Sequence, residues 1–352
     1  MRQKPMLITG GAGFVGRNVV RHVLKNKLTS KIWIVDNLFT GRHPDEWLPS
    51  YFKSKKTSEI VTEYHGGDFT ISFVNSDVRD FFKDYLNSPF ANYLPQFGDI
   101  IHLASIVGGR ALIEGDPLLV ATDLGIDADM FLWAKEARPE RILYASSSAA
   151  YPIQVQTKGS AVALRESLIE FSGNLGVPDL TYGWSKLTGE YLSRIAAQHY
   201  SLHVTCIRPF SGYGEDQEQV YPVPAIAARA ARRENPFVIW GSGDQGRDFV
   251  HIEDCVEFMF LAMERVSDGS GVNIGSGVIT TFKQLAQIFA KLANYQPTIK
   301  PLTDKPAGVH SRYADMTLVT KMFGWKPKIS LEEGMSRVYH VVRKRLEEEG
   351  GK

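Results

Sequence analysis

Tyr182 and Lys186 are a pair whose types and spacing could do chemistry. They stand four apart in a stretch, Thr181 to Gln198, whose apolar spacing predicts a helix. On a helix those two side chains share one face, so a phenol and an ammonium meet. The ammonium favours the phenolate, and the tyrosine pKa is expected to fall. A phenol tuned in this way can take the proton of a hydroxyl while the carbon bearing it is oxidised, then return it. Tyr–Lys pairs at this spacing also arise by chance on many helices, so a second feature is needed. It comes from Ser146-Ser147-Ser148, directly after Arg141-Ile142-Leu143-Tyr144-Ala145. That apolar run reads as a strand, and open α/β sheets bind ligands at the carboxyl ends of their strands. A hydroxyl placed there could hydrogen-bond the reacting oxygen and relay its proton.

Oxidation needs a hydride acceptor, and the N-terminal segment offers a place for one. Thr9-Gly10-Gly11-Ala12-Gly13-Phe14-Val15-Gly16 follows the short apolar run Met6-Leu7-Ile8 and opens a helical pattern from Phe14 to Leu28. Glycines 11, 13 and 16 satisfy G-x-G-x-x-G, and glycines 10, 13 and 16 give G-x-x-G-x-x-G. Small residues let the backbone turn tightly and bring a pyrophosphate against the amides of a helix N-terminus. Lys31 to Asp36 then reads as a second strand, and Asp36 lies 20 residues after Gly16. A carboxylate there accepts hydrogen bonds from adenosine ribose hydroxyls and repels a 2′-phosphate, which favours NAD over NADP. Arg42 is near enough in sequence to blur that preference, but it falls in Thr40 to Gly67, a segment rich in charge, proline and glycine that reads as a surface insertion.

The elements that must position these groups alternate between strand and helix. Phe73-Val74 is a weaker third strand, Ile100 to Ala104 a fourth, the run before the serines a fifth and His203 to Ile207 a sixth. Helical patterns separate them, notably Leu118 to Lys135. Such alternation implies βαβ units and a parallel sheet covered on both faces. After about residue 210 the pattern is irregular. An alanine-rich helix follows Tyr221-Pro222-Val223-Pro224, short strands are expected at Phe237 to Trp240 and Phe249 to His251, and helices at Thr281 to Asn294 and Leu331 to Glu348. The first of these last two is expected to be capped by Thr280 or Thr281. Leu164 to Asp179 carries no readable pattern.

Composition sets bounds on the partners. The 352 residues carry a formal net charge of +1, with 43% apolar and 22% charged residues. That balance gives no electrostatic footprint for nucleic acid or a membrane surface. No run of about twenty apolar residues suggests a membrane span. The two cysteines, Cys206 and Cys255, make no disulfide framework and no metal-ligand spacing, so reduced buried thiols in a cytoplasmic protein are the expectation.

Together these residues resemble the extended short-chain dehydrogenase/reductases, specifically the nucleotide-sugar epimerases and dehydratases. The matching pieces span nearly the whole chain: Thr9 to Gly16, Asp36-Asn37-Leu38, Asp77 to Asp80, His102-Leu103-Ala104, Ser146 to Tyr151, Tyr182 to Lys186, Arg208-Pro209-Phe210, Arg247 to His251 and Gly324 to Pro327. The resemblance implies a Rossmann-type doubly wound parallel sheet in residues 1–210, which holds NAD. It implies a smaller C-terminal α/β domain in residues 211–352 for a nucleotide-diphosphate sugar, with some chain crossing back. It makes Tyr182 the base, Lys186 its assistant and holder of the nicotinamide ribose, and Ser147 the relay hydroxyl. It places Gly10, Gly13, Phe14, Val15, Gly16, Asp36, Asn37, Asp77, Val78, Leu103, Ala104 and Pro209 on the cofactor. On the substrate side it implies Gly109, Ser148, Ser211, Arg247 and Arg312, the arginines because a planar fork meets phosphate oxygens bidentately. A homodimer through the Leu118–Lys135 and Thr181–Gln198 helices is implied as well.

Departures from the family pattern narrow the reaction. Val107-Gly108-Gly109 and Ser148 to Pro152 look like loops of GDP-mannose 3,5-epimerase and GDP-fucose synthase, which carry a cysteine acid/base two residues after the serine. Here that residue is Ala149, and Val220 to Pro224 holds no second lysine. Dehydratases carry an Asp-Glu pair where Ser148 and Ala149 stand. Ser211 replaces a common asparagine, which leaves GDP and UDP both open. Oxidation at carbon 4, rotation of the keto-sugar and re-reduction needs only Tyr182, Ser147 and NAD. A nucleotide-sugar 4-epimerase is therefore the leading expectation, a 4-dehydrogenase or reductase the near alternative, and a non-catalytic NAD sensor the reading from another class.

Overall fold

Local sequence dictates the order of elements. The computed structural model describes residues 2–87, 94–108, 110–305 and 308–350. In chain order the first half contains β1 (Met6–Thr9), α1 (Phe14–Asn26), β2 (Lys31–Asp36), β3 (Lys53–Lys56), β4 (Val61–Gly66), β5 (Phe69–Asn75), α2 (Val78–Asn87) and β6 (Asp99–His102). There follow α3 (Arg110–Gly115), α4 (Pro117–Val120), α5 (Thr122–Ala137), β7 (Arg141–Ala145), α6 (Leu180–Tyr200) and β8 (Val204–Pro209). The remainder holds β9 (Ser211–Tyr213), α7 (Pro222–Ala231), β10 (Phe237–Trp240), β11 (Gly246–Arg247), β12 (Phe249–His251), α8 (Ile252–Met263) and β13 (Asp268–Ile274). Last come β14 (Thr280–Thr281), α9 (Phe282–Leu292), β15 (Ile299–Leu302), β16 (Ser311–Arg312), α10 (Thr317–Phe323) and α11 (Leu331–Gly350).

Among the described residues, nine strands form one sheet in the order β13-β8-β7-β6-β1-β2-β5-β4-β3. The seven from β13 to β5 run parallel, and β4 and β3 join antiparallel. β1, β2, β6 and β7 are nearly continuous buried apolar runs, as strands covered on both faces must be. Strand order reverses between β1 and β6. The crevice outside the carboxyl ends of those two strands is where a doubly wound sheet takes its ligand. Gly10 follows β1 there, and Leu103 follows β6.

Chain beyond residue 210 returns to this layer. β13 pairs with β8 at the sheet edge, and α8 packs against α1. The rest builds a second core in which α7, α9 and α11 enclose Phe237, Leu285, Phe289, Met335 and Val338. α9 starts where expected, with the Thr281 hydroxyl and the Gln284 side chain forming a reciprocal capping box.

One expectation is corrected. Thr40 to Gly67 is more than a surface insertion, because β3 and β4 extend the main sheet and Phe52 and Tyr64 are buried against its core. β3 is Lys53-Ser54-Lys55-Lys56, with every residue exposed. Nothing apolar marks it. Backbone hydrogen bonds to β4 hold it, and lysines on an edge strand discourage further pairing.

Candidate active site

The glycine loop comes first because its geometry leaves least freedom. Gly10 has φ 67°, and a Cβ there would stand 2.8 Å from the Ala104 backbone nitrogen. A Cβ on Gly16 would collide with the Gly11 backbone. Both positions therefore require glycine. Gly13 is the N-cap of α1, with no capping side chain and no acid in the first turn. The first-turn amides of α1 are thus open to an anion such as a pyrophosphate.

Asp36 closes the loop from the side. Its carboxylate accepts from the Ala12 amide at 3.0 Å and from the Leu38 amide at 2.8 Å. Burial pushes its pKa up more than these bonds pull it down. Arg42 is committed elsewhere, paired with Glu218 at 2.6 Å. The Asp77 carboxyl is held below its usual value by hydrogen bonds from Arg79.

A cleft of about 490 Å³ runs along the strand ends. Gly10, Gly13, Phe14, Val15, Gly16, Asp36, Asn37, Asp77, Val78, Leu103, Ala104, Pro209, Ser147, Tyr182 and Lys186 all line it. The glycine loop and the proton-transfer candidates thus share one cavity. Glycines a Cβ would fill, an open helix N-terminus and a carboxylate lining the cleft together fit a bound dinucleotide.

The start of α6, which carries Tyr182, is fixed against the serine loop by close contacts. The Asp179 amide donates to the Ala149 carbonyl at 2.9 Å. A Cβ on Gly183 would stand 2.5 Å from that same oxygen, so only glycine lets the helix come this close. Leu180 adopts φ 56°, a costly conformation for a branched side chain, where the chain turns into the helix. Arg312 holds this turn through Asp179, with an N–O separation of 2.7 Å.

The three serines differ. Ser146 is buried and donates to Glu190 at 2.5 Å. Glu190 in turn pairs with Arg208 at 2.7 Å, both side chains almost fully buried. Arg208 also donates to the Tyr151 hydroxyl at 3.0 Å, which anchors the far end of the loop. Ser148 is buried and does not line the cleft. Ser147 does, and its oxygen accepts from the Ala149 amide at 3.1 Å. Its O–H is left to donate toward the cavity. Lys186 is buried. Burial pushes its pKa down, but Asp127, Tyr182 and Asp123 outweigh that effect and hold it above the ordinary lysine value.

Of the expected substrate-side residues that are described, Ser148, Ser211, Arg247 and Arg312 do not line this cleft. Arg247 and Arg312 are register partners on parallel β11 and β16, so they lie side by side. Arg312 is engaged by Asp179 and by Gln156 at 2.7 Å. Arg247 donates to the Val309 carbonyl at 3.0 Å, with its guanidinium 5.7 Å from the centre of the Phe282 ring. Ser211 begins β9, next to cleft-lining Gly212. Gly109 lies outside the described residues.

Sequence reasoning missed other walls of the cleft. Ile252, Cys255 and Met259 of α8 line it, spaced as one helix face. Gln217 and Tyr221 reach it from the loop after β9. That loop is tied to α1, for Asp216 pairs with Arg17 at 3.2 Å and with Arg21 at 2.7 Å. Cys206 and Cys255 are buried free thiols whose pKa burial pushes up, which disfavours the thiolate.

Fold and cleft define a dinucleotide-dependent enzyme of the Rossmann class. The comparisons with known proteins give the family. A model of the NAD dependent epimerase/dehydratase family matches residues 6–275, and the chain belongs to that family. The chain is 26% identical over 344 residues to GDP-L-colitose synthase of Yersinia pseudotuberculosis, covering 94% of this chain and 96% of that one. It is 27% identical over 352 residues to a putative UDP-glucose 4-epimerase of Methanocaldococcus jannaschii, covering 96% and 98%. Among solved structures, UDP-glucose 4-epimerase of Thermotoga maritima with UDP-glucose superposes with a TM-score of 0.78, at 24% identity and with 97% and 99% of the two chains covered. The chain is thus an NAD-dependent member of the epimerase/dehydratase family. No helix among its described residues is long and apolar enough to cross a membrane.

Proposed function

We propose that the protein is a nucleotide-sugar 4-epimerase that retains its NAD through the cycle. The observation that carries this reading is the composition of the cleft. Ser147, Tyr182 and Lys186 meet the glycine loop there, while the position that would need a second acid or base is the buried Ala149. Bound NAD would supply a hydride acceptor that gives the hydride back. Tyr182 takes the proton of the 4-hydroxyl, with Ser147 donating to the same oxygen. Lys186 keeps positive charge beside the phenol. The keto-sugar turns over in the cleft and is reduced from its other face, and Tyr182 returns the proton. The names of the relatives, a GDP-sugar synthase and a UDP-glucose 4-epimerase, support GDP or UDP as the nucleotide. Arg247 and Arg312 would hold the diphosphate once Arg312 exchanges Asp179 for it.

Incubation with GDP-, UDP- and dTDP-hexoses, followed by proton NMR, tests this. An isomeric product with no net NADH is expected. Stoichiometric NADH, or solvent deuterium entering carbon 3 or 5, would overturn the reading. A homodimer belongs to the same proposal. Leu124 and Leu132 on α5 and Trp184 and Tyr191 on α6 are exposed apolar residues on two packed helices, the kind of surface a second copy would cover. Light scattering should give twice the chain mass, and Leu132→Asp should reduce it to one.

A further inference from the structure

A buried polar chain runs from the glycine loop to the catalytic lysine, and the mechanism above does not use it. It begins at Thr9, the last residue of β1, whose hydroxyl oxygen accepts from the Leu103 and Ala104 amides at 3.2 and 3.3 Å. With both lone pairs taken, its proton points to His102 Nδ1, 2.8 Å away. That leaves His102 Nε2 carrying the other proton, donated to Asp127 Oδ1 at 3.2 Å. Tyr144 donates to Asp127 Oδ2 at 2.6 Å. A carboxylate receiving two neutral donors keeps its full negative charge. Asp127 is 1% exposed, so that charge requires a cation nearby.

Lys186 is the cation. Its ammonium lies 5.6 Å from the centre of the Tyr144 ring and 5.7 Å from that of Tyr182, between the two phenols. The helix carrying it is cut away at the matching place. A Cβ on Gly189, one turn beyond Lys186, would collide with the Tyr144 hydroxyl and lie 2.6 Å from Asp127 Oδ2. Glycine weakens a helix interior relative to alanine. Here it lets the Tyr144–Asp127 pair press against the lysine's own helix.

We propose that Asp127 is a positioning residue, a fixed negative charge that acts on the Lys186 ammonium through space and past the Tyr144 phenol, without a direct ion pair, and holds it charged beside Tyr182. This rests on the reading of Tyr182 and Lys186 as catalytic. The other groups facing the ammonium are accounted for. Asp123, also on α5, is a second buried carboxylate facing the ammonium, with its oxygens on the Ser105 hydroxyl at 2.7 Å and the Ile106 amide at 2.6 Å, where it also shapes the loop after β6. Cys206 on β8 is a protonated thiol, Glu190 on α6 is neutralised by Arg208, and Tyr182 is the lysine's own partner.

The test is an NMR titration of NAD-loaded protein carrying carbon-13 lysine, with the Lys186 signal assigned by its loss in Lys186→Met. In Asp127→Asn, or in the smaller Asp127→Ser where the amide does not fold, the Lys186 midpoint should fall by about one pH unit. Asp127→Glu, which restores the charge, should return it to the wild-type value. An unmoved midpoint in folded, NAD-loaded Asp127→Asn or Asp127→Ser overturns the proposal. So does a fall that Asp127→Glu does not reverse. Turnover of Tyr182→Phe is measured separately. Its retention would defeat the catalytic reading itself, whatever Asp127 does.

Discussion

Gly183→Ala probes the alignment of the two proton-transfer groups without touching either. The added Cβ would sit 2.5 Å from the Ala149 carbonyl oxygen and 2.9 Å from the Pro178 Cβ. The first distance is roughly 1 Å inside ordinary contact, and neither neighbour is the end of a flexible side chain. The start of α6 must therefore back away from the serine loop by a sizeable part of an ångström, carrying Tyr182 with it. A misplacement of about 1 Å at a reacting centre costs on the order of a hundredfold in rate. Stability should change less, because alanine regains about 1 kcal/mol of helix propensity against the strain. The glycine loop and Asp36 lie elsewhere, so NAD affinity should hold. The assay is kcat by product NMR, beside calorimetry for NAD binding and a thermal melt. Full turnover in a folded Gly183→Ala protein would refute the claim that this close approach aligns Tyr182 with Ser147.

Other perturbations address the cofactor and the frame. Asp36→Ala removes a charged acceptor from the ribose site and should weaken NAD binding about ten- to a hundredfold by calorimetry, while narrowing the preference over NADP. Glu190→Ala leaves Arg208 unpaired among buried groups and should cost about 3–5 kcal/mol in urea denaturation. Burial alone would raise the Asp216 carboxyl, but Arg21 and Arg17 outweigh it and hold it below the ordinary aspartate value. Its contribution to stability is then present above the unfolded pKa of about 3.9 and lost as pH falls through the lower folded value. Thermal melts of Asp216→Asn should accordingly lose part of the acid-side slope that the wild type shows.

What was legible in the sequence was whatever chemistry forces into a short stretch. A pyrophosphate requires glycines at fixed offsets, so Gly10, Gly13 and Gly16 could be read with Asp36. A phenol and an ammonium must share a helix face, so Tyr182 and Lys186 could be read too. Ser147 follows from its offset to Tyr151 in the family pattern, and the structure adds how it differs from its neighbours: Ser146 donates to Glu190, and Ser148 is buried outside the cleft lining. Illegible were features made by contact between distant segments. His102 and Asp127 are 25 residues apart and belong to different elements. Gln217 and Tyr221 reach the cleft on a loop whose sequence carries no motif, although the spacing of Ile252, Cys255 and Met259 was a helical signal available to be read. β3 escaped because an edge strand of lysines has no apolar period. Arg312 shows a related limit. The family resemblance implied phosphate binding there, and the pairing of its fork with Asp179 at the start of α6 joins segments too far apart for sequence to show.

The central claim concerns the path of one hydrogen. A nucleotide hexose deuterated at carbon 4, turned over by the holoenzyme in ordinary water, follows it directly. Hydride held in the cleft and returned to the same carbon predicts an isomerised product with deuterium still at carbon 4 and none in free NADH. Deuterium washed into solvent, or recovered on released cofactor, would contradict it.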